Sequence, residues 1–205
     1  MARKAREKRP YQQGARAESA AATADRILGA TTALVMERWL DEITLDLIAE
    51  RAEVNVRTVI RRFATRDDVV QAAVDRFRTR LEGTVLPKPT PGDAHAAVRL
   101  LVEYYERDAA FLLRGLAQEA RFPFLQVNFA GTRSRHRAWV ADAFSPQLAA
   151  IAAKERTLVL TELAAVTWVS TWKFLRLDSG ASRADTEVAL ERMVRAIAHG
   201  GSPSP

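Results

Sequence analysis

The chain contains no cysteine in its 205 residues, so it has neither a disulfide framework nor a thiolate metal site. Its three histidines, His95, His136 and His199, stand far apart with no paired metal-ligand spacing. The nine glycines form neither a phosphate-cradling loop nor a dinucleotide fingerprint, and no serine sits in a nucleophile elbow. These absences argue against an enzyme: no catalytic residue, metal or cofactor is expected. Long apolar runs are missing as well. On the C-terminal side one uncharged apolar-rich stretch, Leu163 to Trp172, has ten residues, about half of the roughly 20 a membrane helix needs. The basic N-terminus, Arg3 to Arg9, leads into Pro10, Gln12 and Gln13, not into an apolar segment, so no secretory signal is read there. A cytoplasmic protein without a membrane partner is expected.

What is present is a chain 48% apolar, enough for a real core, with a net charge of +6 that is unevenly placed. Arg3, Lys4, Arg6, Lys8, Arg9 and Arg16 face a single acid, Glu7, before residue 17, so most of the excess sits there. Residues 1–18 read as a flexible basic arm. It is either a solvated tail or a strand of cations that lies along phosphates or enters the minor groove, with Arg3, Lys4 and Arg6 as its contacts. Breakers concentrate in one place: Pro87, Pro89 and Pro91 between Gly83 and Gly92. They mark a linker, 83–92, between an N-terminal domain, 19–82, and a C-terminal one, 93–205.

Both sides read as helix, about nine in all, with no convincing alternating strand. Ile27, Leu28, Thr31, Leu34 and Val35 recur at helical spacing within a segment from Ser19 to Arg38. Thr65 with Asp67 and Asp68 caps another helix carrying Val70, Ala73, Val74, Phe77 and Leu81. Beyond the linker, one stripe holds Ala97, Leu100, Leu101, Tyr104 and Tyr105, and a second Phe111, Leu112 and Leu116, with a break expected at Asp108. Pro123 ends that segment. Helices are then expected from Gln126 to Phe144, stopped by Ser145-Pro146, from Lys154 to Leu177, stopped by Ser179-Gly180, and from Ser182 or Asp185 to Gly200.

The segment from Thr44 to Phe63 reads as two short helices joined by a tight turn. Leu45, Ile48, Ala49 and Ala52 make the stripe of the first, and Val54, Val56, Val59 and Phe63 that of the second. Ala49 sits where the two would cross. Thr44 and Asn55 precede the helices and can accept from their unpaired first-turn amides. The remaining face carries Arg57, Thr58, Arg61 and Arg62. Guanidinium groups bond guanine edges in pairs or anchor phosphates, so such a face suits the major groove. The bland alternative is a solvated basic face.

A covering helix, a helix-turn-helix ending in an aromatic, a capped helix opening on a basic residue and then about 120 residues of helices resemble the TetR family of transcriptional regulators. The matching residues are Ile27, Leu28, Ala33, Thr44, Ile48, Ala49, Ala52, Val54, Thr58, Phe63, Arg66 and Val69. The ending TWKFLRLDSGASRADTEVALERMVRAI is similar to the last two helices of such regulators, more loosely. The chain departs from the family pattern at Glu53, where glycine is usual, at Ile60, where tyrosine is usual, and at Arg66, where lysine is usual. Losing the tyrosine removes a phosphate contact and leaves that duty to Arg61 or Arg62.

The resemblance implies an all-α protein: an N-terminal helix-turn-helix DNA-binding domain and a C-terminal helical domain for ligand binding and dimerisation. It further implies a homodimer through the last two helices, in which Leu160, Leu163, Trp168, Trp172 and Met193 supply surplus apolar surface. A palindromic operator in double-stranded DNA follows from the twofold. Thr44, Asn55 and Arg66 are expected on the backbone with the arm, and Arg57, Thr58, Arg61 and Arg62 in the groove. The resemblance also implies a repressor released by a small-molecule effector. Candidate effector contacts are Tyr104, Phe111, Phe122, Phe124, Gln126, Phe129, His136, Trp139, Trp168 and Trp172. A DNA-binding dimer with no effector stays open beside it.

Overall fold

A computed structural model of the chain describes residues 9–82 and 88–199. Among them every regular element is helical. The chain divides into two compact units, Met1–Gly83 and Thr84–Pro205.

The first unit opens with α1, Arg9–Glu37. This helix begins ten residues ahead of the expected Ser19, so the stretch from Arg9 to Glu18, read as flexible arm, has helical backbone. The apolar stripe that placed the start has no counterpart before Ala20, which is why periodicity missed the extension. Arg3, Lys4 and Arg6 lie outside the described residues. Ile27, Leu34 and Val35 form the buried stripe of α1, and Thr31 among them bonds its hydroxyl to the Ile27 carbonyl at 2.8 Å. A 3-10 turn, Leu40–Glu42, leads to α2, Leu45–Arg51, α3, Val56–Phe63, and α4, Arg66–Glu82. Helix α4 lies along α1, with Val69, Val70, Ala73 and Val74 buried. Arg76 ties it to Asp25 of α1 at 3.0 Å. Ile27, Ile43 and Ile48 are wholly buried; each such side chain contributes about 1.5–3 kcal/mol by leaving water.

The second unit is built on α5, Ala94–Leu116, capped by Asp93, whose carboxylate accepts from the Ala96 amide at 2.9 Å. The expected break at Asp108 does not occur. Asp108 is buried, yet the Arg107 guanidinium bonds its carboxylate at 2.7 Å. Charge pairing therefore lets an acid sit within an otherwise apolar face. Next comes α6, Pro123–Ala143, which starts three residues before the expected Gln126 because proline at a first helical position loses no intrahelical bond. Ser145-Pro146 opens the short α7, Ser145–Ala150, for the same reason.

The helix expected from Lys154 to Leu177 is divided. Helix α8, Ala153–Val166, stops at Thr167-Trp168, where Trp168 is extended (φ −73°, ψ 153°). Helix α9, Val169–Lys173, then runs into a π-helical turn, Phe174–Asp178. The stretch Ala153–Asp178 has the length and composition of a membrane span, with a mean hydropathy of 1.2 and 28% of its most apolar window buried. A count of uncharged residues does not single it out, since Glu162 within it and Lys173 near its end cut the run short. The last helix, α10, Arg183–His199, is capped by Ser182, whose hydroxyl pairs with Asp185 at 2.6 Å and accepts its amide at 3.0 Å. It packs on α5 and α8.

Candidate nucleic-acid interface

Helices α2 and α3 are set by their caps. Thr44 Oγ1 accepts from the Leu47 amide at 3.1 Å, and Asn55 Oδ1 from the Arg57 amide at 2.9 Å. Each cap satisfies a donor that the first helical turn leaves without a partner. Between the helices Glu53 takes φ 53°, the left-handed conformation that glycine adopts freely. The first helix buries Ile48 and Ala49, and the second buries Val59 completely, with Val56 and Phe63 half-buried beside it.

That choice of inward face fixes the outward one, because successive side chains turn by about 100° around a helix. Arg57 and Arg61, four apart, point away from Val59, with Thr58 half-buried alongside and Arg62 and Ile60 at the two edges. Arg57, Arg61 and Arg62 are exposed, and among the described residues no group bonds their guanidiniums. Three other arginines, Arg51, Arg66 and Arg76, are engaged inside this unit. Arg51 pairs with Glu37 at 2.6 Å, which holds that carboxyl below its usual range, and Arg76 pairs with Asp25. Arg66 donates to the Leu40 carbonyl at 3.0 Å and pairs with Asp67. So Arg66, expected on the DNA backbone, holds the turn before α2 against α4. Thr44 and Asn55 are exposed at helix starts, their side-chain oxygens already used as caps.

The junction after α3 is strained. Ala64 has φ 59° and ψ −62°, and the Thr65 amide reaches back to the Phe63 carbonyl at 2.7 Å. This is a γ-turn of positive φ, a rare and strained form. It is held by the cap that follows: Thr65 and Asp68 exchange hydrogen bonds, amide to side chain in both directions, at 3.0 and 3.2 Å. Sequence reasoning found the cap but not the turn, since alanine gives no signal of positive φ. Ala64→Gly should raise the stability of the unit by about 1 kcal/mol, the strain relieved less the added freedom of the unfolded chain. Denaturant melts check this; an unchanged or lower midpoint contradicts the strain.

In the second unit, four of the candidate effector residues, Tyr104, His136, Trp168 and Trp172, come from α5, α6 and the stretch that follows α8. His136, on α6, is buried and stacks edge-on against Trp168 at 5.1 Å. Its Nε2 lies 3.0 Å from Thr167 Oγ1 and 3.2 Å from the Ala164 carbonyl. Because the Thr167 hydroxyl donates to the Leu163 carbonyl at 2.6 Å, Nε2 is the protonated nitrogen of a neutral ring. Tyr105 donates to the Thr167 carbonyl at 2.8 Å and packs on Trp172 and Tyr104 with ring centres 5.9 and 5.4 Å away. Trp172 is buried, and among the described residues its indole N–H meets no acceptor. Tyr105 and Thr167 are the members the sequence did not single out. Neither carries a mark of its role until the helix break brings Thr167 to the α5 face.

The remaining candidates divide. Phe122 and Phe124 pack on each other at 6.0 Å, and Phe129 lies against Gly115, where any Cβ would stand 2.7 Å from its ring. Phe111 and Trp139 are half-buried. Gln126 is exposed, bonded to the Ala120 carbonyl at 3.4 Å, and is not brought to the His136 cluster. A shallow cleft lies elsewhere in the unit, at Gly92, Asp93, Pro146, Gln147 and Arg195, and none of the candidates lines it.

Burial lowers the His136 pKa from 6.5 to about 4. The unfolded chain therefore takes up a proton between these values that the folded one refuses. The stabilising contribution is full above about pH 6.5 and is lost as pH falls toward 4, with a magnitude of roughly 3 kcal/mol. Melts of the protein should lose this stability between pH 7 and 4.5, and His136→Gln should flatten the fall; equal slopes for both would contradict the burial argument.

Residues 27–73 match the family model described as bacterial regulatory proteins, tetR family. No curated protein matches. Among solved structures the chain is similar to a transcriptional regulator from Rhodococcus sp. Rha1, with 18% identity, TM-score 0.67, and coverage of 89% of this chain and 99% of that one. A putative TetR-family transcriptional regulator from Rhodococcus sp. gives 18% identity and TM-score 0.66 over 86% and 98% of the two chains. The multidrug binding protein EbrR, complexed with imidazole, gives 20% identity and TM-score 0.52 over 88% and 90%. The all-α fold is thus shared over most of each chain, and the matched segment runs from the buried stripe of α1 through both helices of the arginine-bearing pair into α4. Over that segment, residues 27–73, the chain is similar to the tetR family of bacterial regulatory proteins.

Proposed function

We propose that the protein is a sequence-specific DNA-binding transcriptional regulator, a repressor that binds a palindromic operator as a homodimer and lets go when a small molecule occupies its second unit. The observation that carries the DNA-binding reading is the outward face of α3. Three exposed arginines of one helix face have no bonding partner among the described residues, while Arg51, Arg66 and Arg76 are held by acids or a carbonyl. A helix so placed offers paired donors to guanine O6 and N7 and positive charge to phosphates. Thr58 sits within the same face, and Thr44 and Asn55 at its approach. Arg3, Lys4 and Arg6 would add backbone contacts. The cytoplasm, where the operator lies, is the compartment this reading requires.

The dimer reading is supported by apolar side chains left exposed on α8, the π turn and α10: Leu158 at 61%, Phe174 at 61%, Leu177 at 55% and Val188 at 56%. Leu163 and Trp172, expected to supply this surface, are buried within their own chain. The effector reading is supported by the indole N–H of Trp172, a buried donor whose lost partner costs about 1–3 kcal/mol. A ligand acceptor would recover that cost.

The test is selection from random duplex DNA by the purified full chain. Enrichment of a twofold site bound at nanomolar concentration supports the reading, and recovery of no preferred sequence overturns it. On the selected site, a compound that raises the melting temperature and releases DNA together identifies the effector; a dimer that binds DNA and responds to none in a broad screen is the effector-free alternative.

A further inference from the structure

The edge of the α3 face carries a side chain that the arginines do not explain. Ile60 is 45% exposed, a large β-branched apolar group in solvent on a helix whose other outward residues are Arg57, Thr58, Arg61 and Arg62. The fold makes little use of it: Val59 beside it is wholly buried and fills the inward position. Ile60 follows Arg57 by three residues and precedes Arg61 by one, so it shares their side of the helix, one edge of the outward face. Any duplex that brings Arg57 and Arg61 to base edges brings Ile60 within reach of the same groove wall.

We infer that Ile60 reads the 5-methyl group of a thymine in each operator half-site. The inference rests on the DNA-binding reading above. The chemistry leaves little choice of base. In the major groove guanine, cytosine and adenine present donors and acceptors, and only thymine adds an apolar group. A bare sec-butyl side chain has no hydrogen bond to give, and against guanine, adenine or cytosine it would strip water from polar edges without replacing the bonds. Against thymine it covers a methyl. Where a neighbouring arginine takes a guanine, the thymine should lie in the same half-site as that guanine. Ile60 is a specificity-determining residue in this account, while the arginines supply most of the affinity.

The experiment uses the operator selected by the full chain, resynthesised with each thymine in turn replaced by deoxyuridine, which removes the methyl group and nothing else. One thymine per half-site should stand out, its replacement weakening binding by about fourfold, the factor expected for taking one methyl out of apolar contact. With both half-sites replaced the loss should be about fifteenfold by the same per-methyl figure. Ile60→Ala should weaken binding to the thymine operator to a similar degree and be indifferent to the replacement. Far-ultraviolet circular dichroism confirms that this variant folds, as expected for a side chain so exposed. If Ile60→Ala keeps the full deoxyuridine penalty, or if no thymine is sensitive in the parent protein, the assignment is overturned while DNA binding stands. If selection recovers no site, the regulator reading falls and the assignment with it.

Discussion

Replacing Arg61 and Arg62 together by alanine should weaken operator binding by about a hundredfold or more, since each guanidinium contributes either a bidentate base contact or a released counterion. Both side chains are exposed and bonded to no described residue, so the fold should not register their loss. The salt dependence separates the two roles. A phosphate contact carries about 0.9 in the slope of log affinity against log salt, so two lost phosphate contacts flatten the slope by about 2. If Arg61 instead bonds a guanine, Arg61→Ala alone should relax the base preference at one position of each half-site and change the slope less. Arg57→Ala, at the same outward angle as Arg61, should behave as its companion. Gel-shift titrations at several salt concentrations read both quantities; unchanged affinity and slope in the double variant would remove α3 as the reading helix.

How much of this face could be read in advance follows from where the physics is local. Caps are local: Thr44, Asn55, Thr65 and Asp68 each act within three residues, and each is found bonded to its own helix start. The inward stripe of α3 is equally legible, because Val56, Val59 and Phe63 recur at helical intervals. Elements whose form depends on distant partners were not legible. The interruption at Thr167-Trp168 has no proline or glycine. It accompanies a set of tertiary bonds, in which Tyr105 from α5 takes the Thr167 carbonyl and His136 from α6 takes its hydroxyl. Gly115 shows the same dependence, since only the arrival of Phe129 at its α-carbon gives that glycine a reason. For Arg66, expected on the phosphate backbone, the fold supplies the Leu40 carbonyl, 26 residues away, beside the adjacent Asp67, and that distant partner is not visible in the chain order.

The second large effect concerns the surface that the fold leaves apolar. Leu158 on α8 and Val188 on α10 are more than half exposed, on two helices that pack against one another, and Phe174 and Leu177 are more than half exposed on the π turn. Large apolar side chains exposed on neighbouring helices suit a subunit interface, and a twofold interface uses the same face from both subunits. Glutamate at both Leu158 and Val188 would therefore place four like charges in one assembled interface while costing the isolated chain little. The double variant should sediment as a monomer with its helical circular dichroism intact. Its affinity for the palindromic operator should fall by about 10²- to 10⁴-fold, because the second half-site no longer arrives tethered to the first. The monomer should still bind a single half-site as weakly as one half of the parent does, which distinguishes lost assembly from lost reading. If the variant remains a dimer of unchanged stability, the exposed apolar face has another purpose and the dimer forms elsewhere.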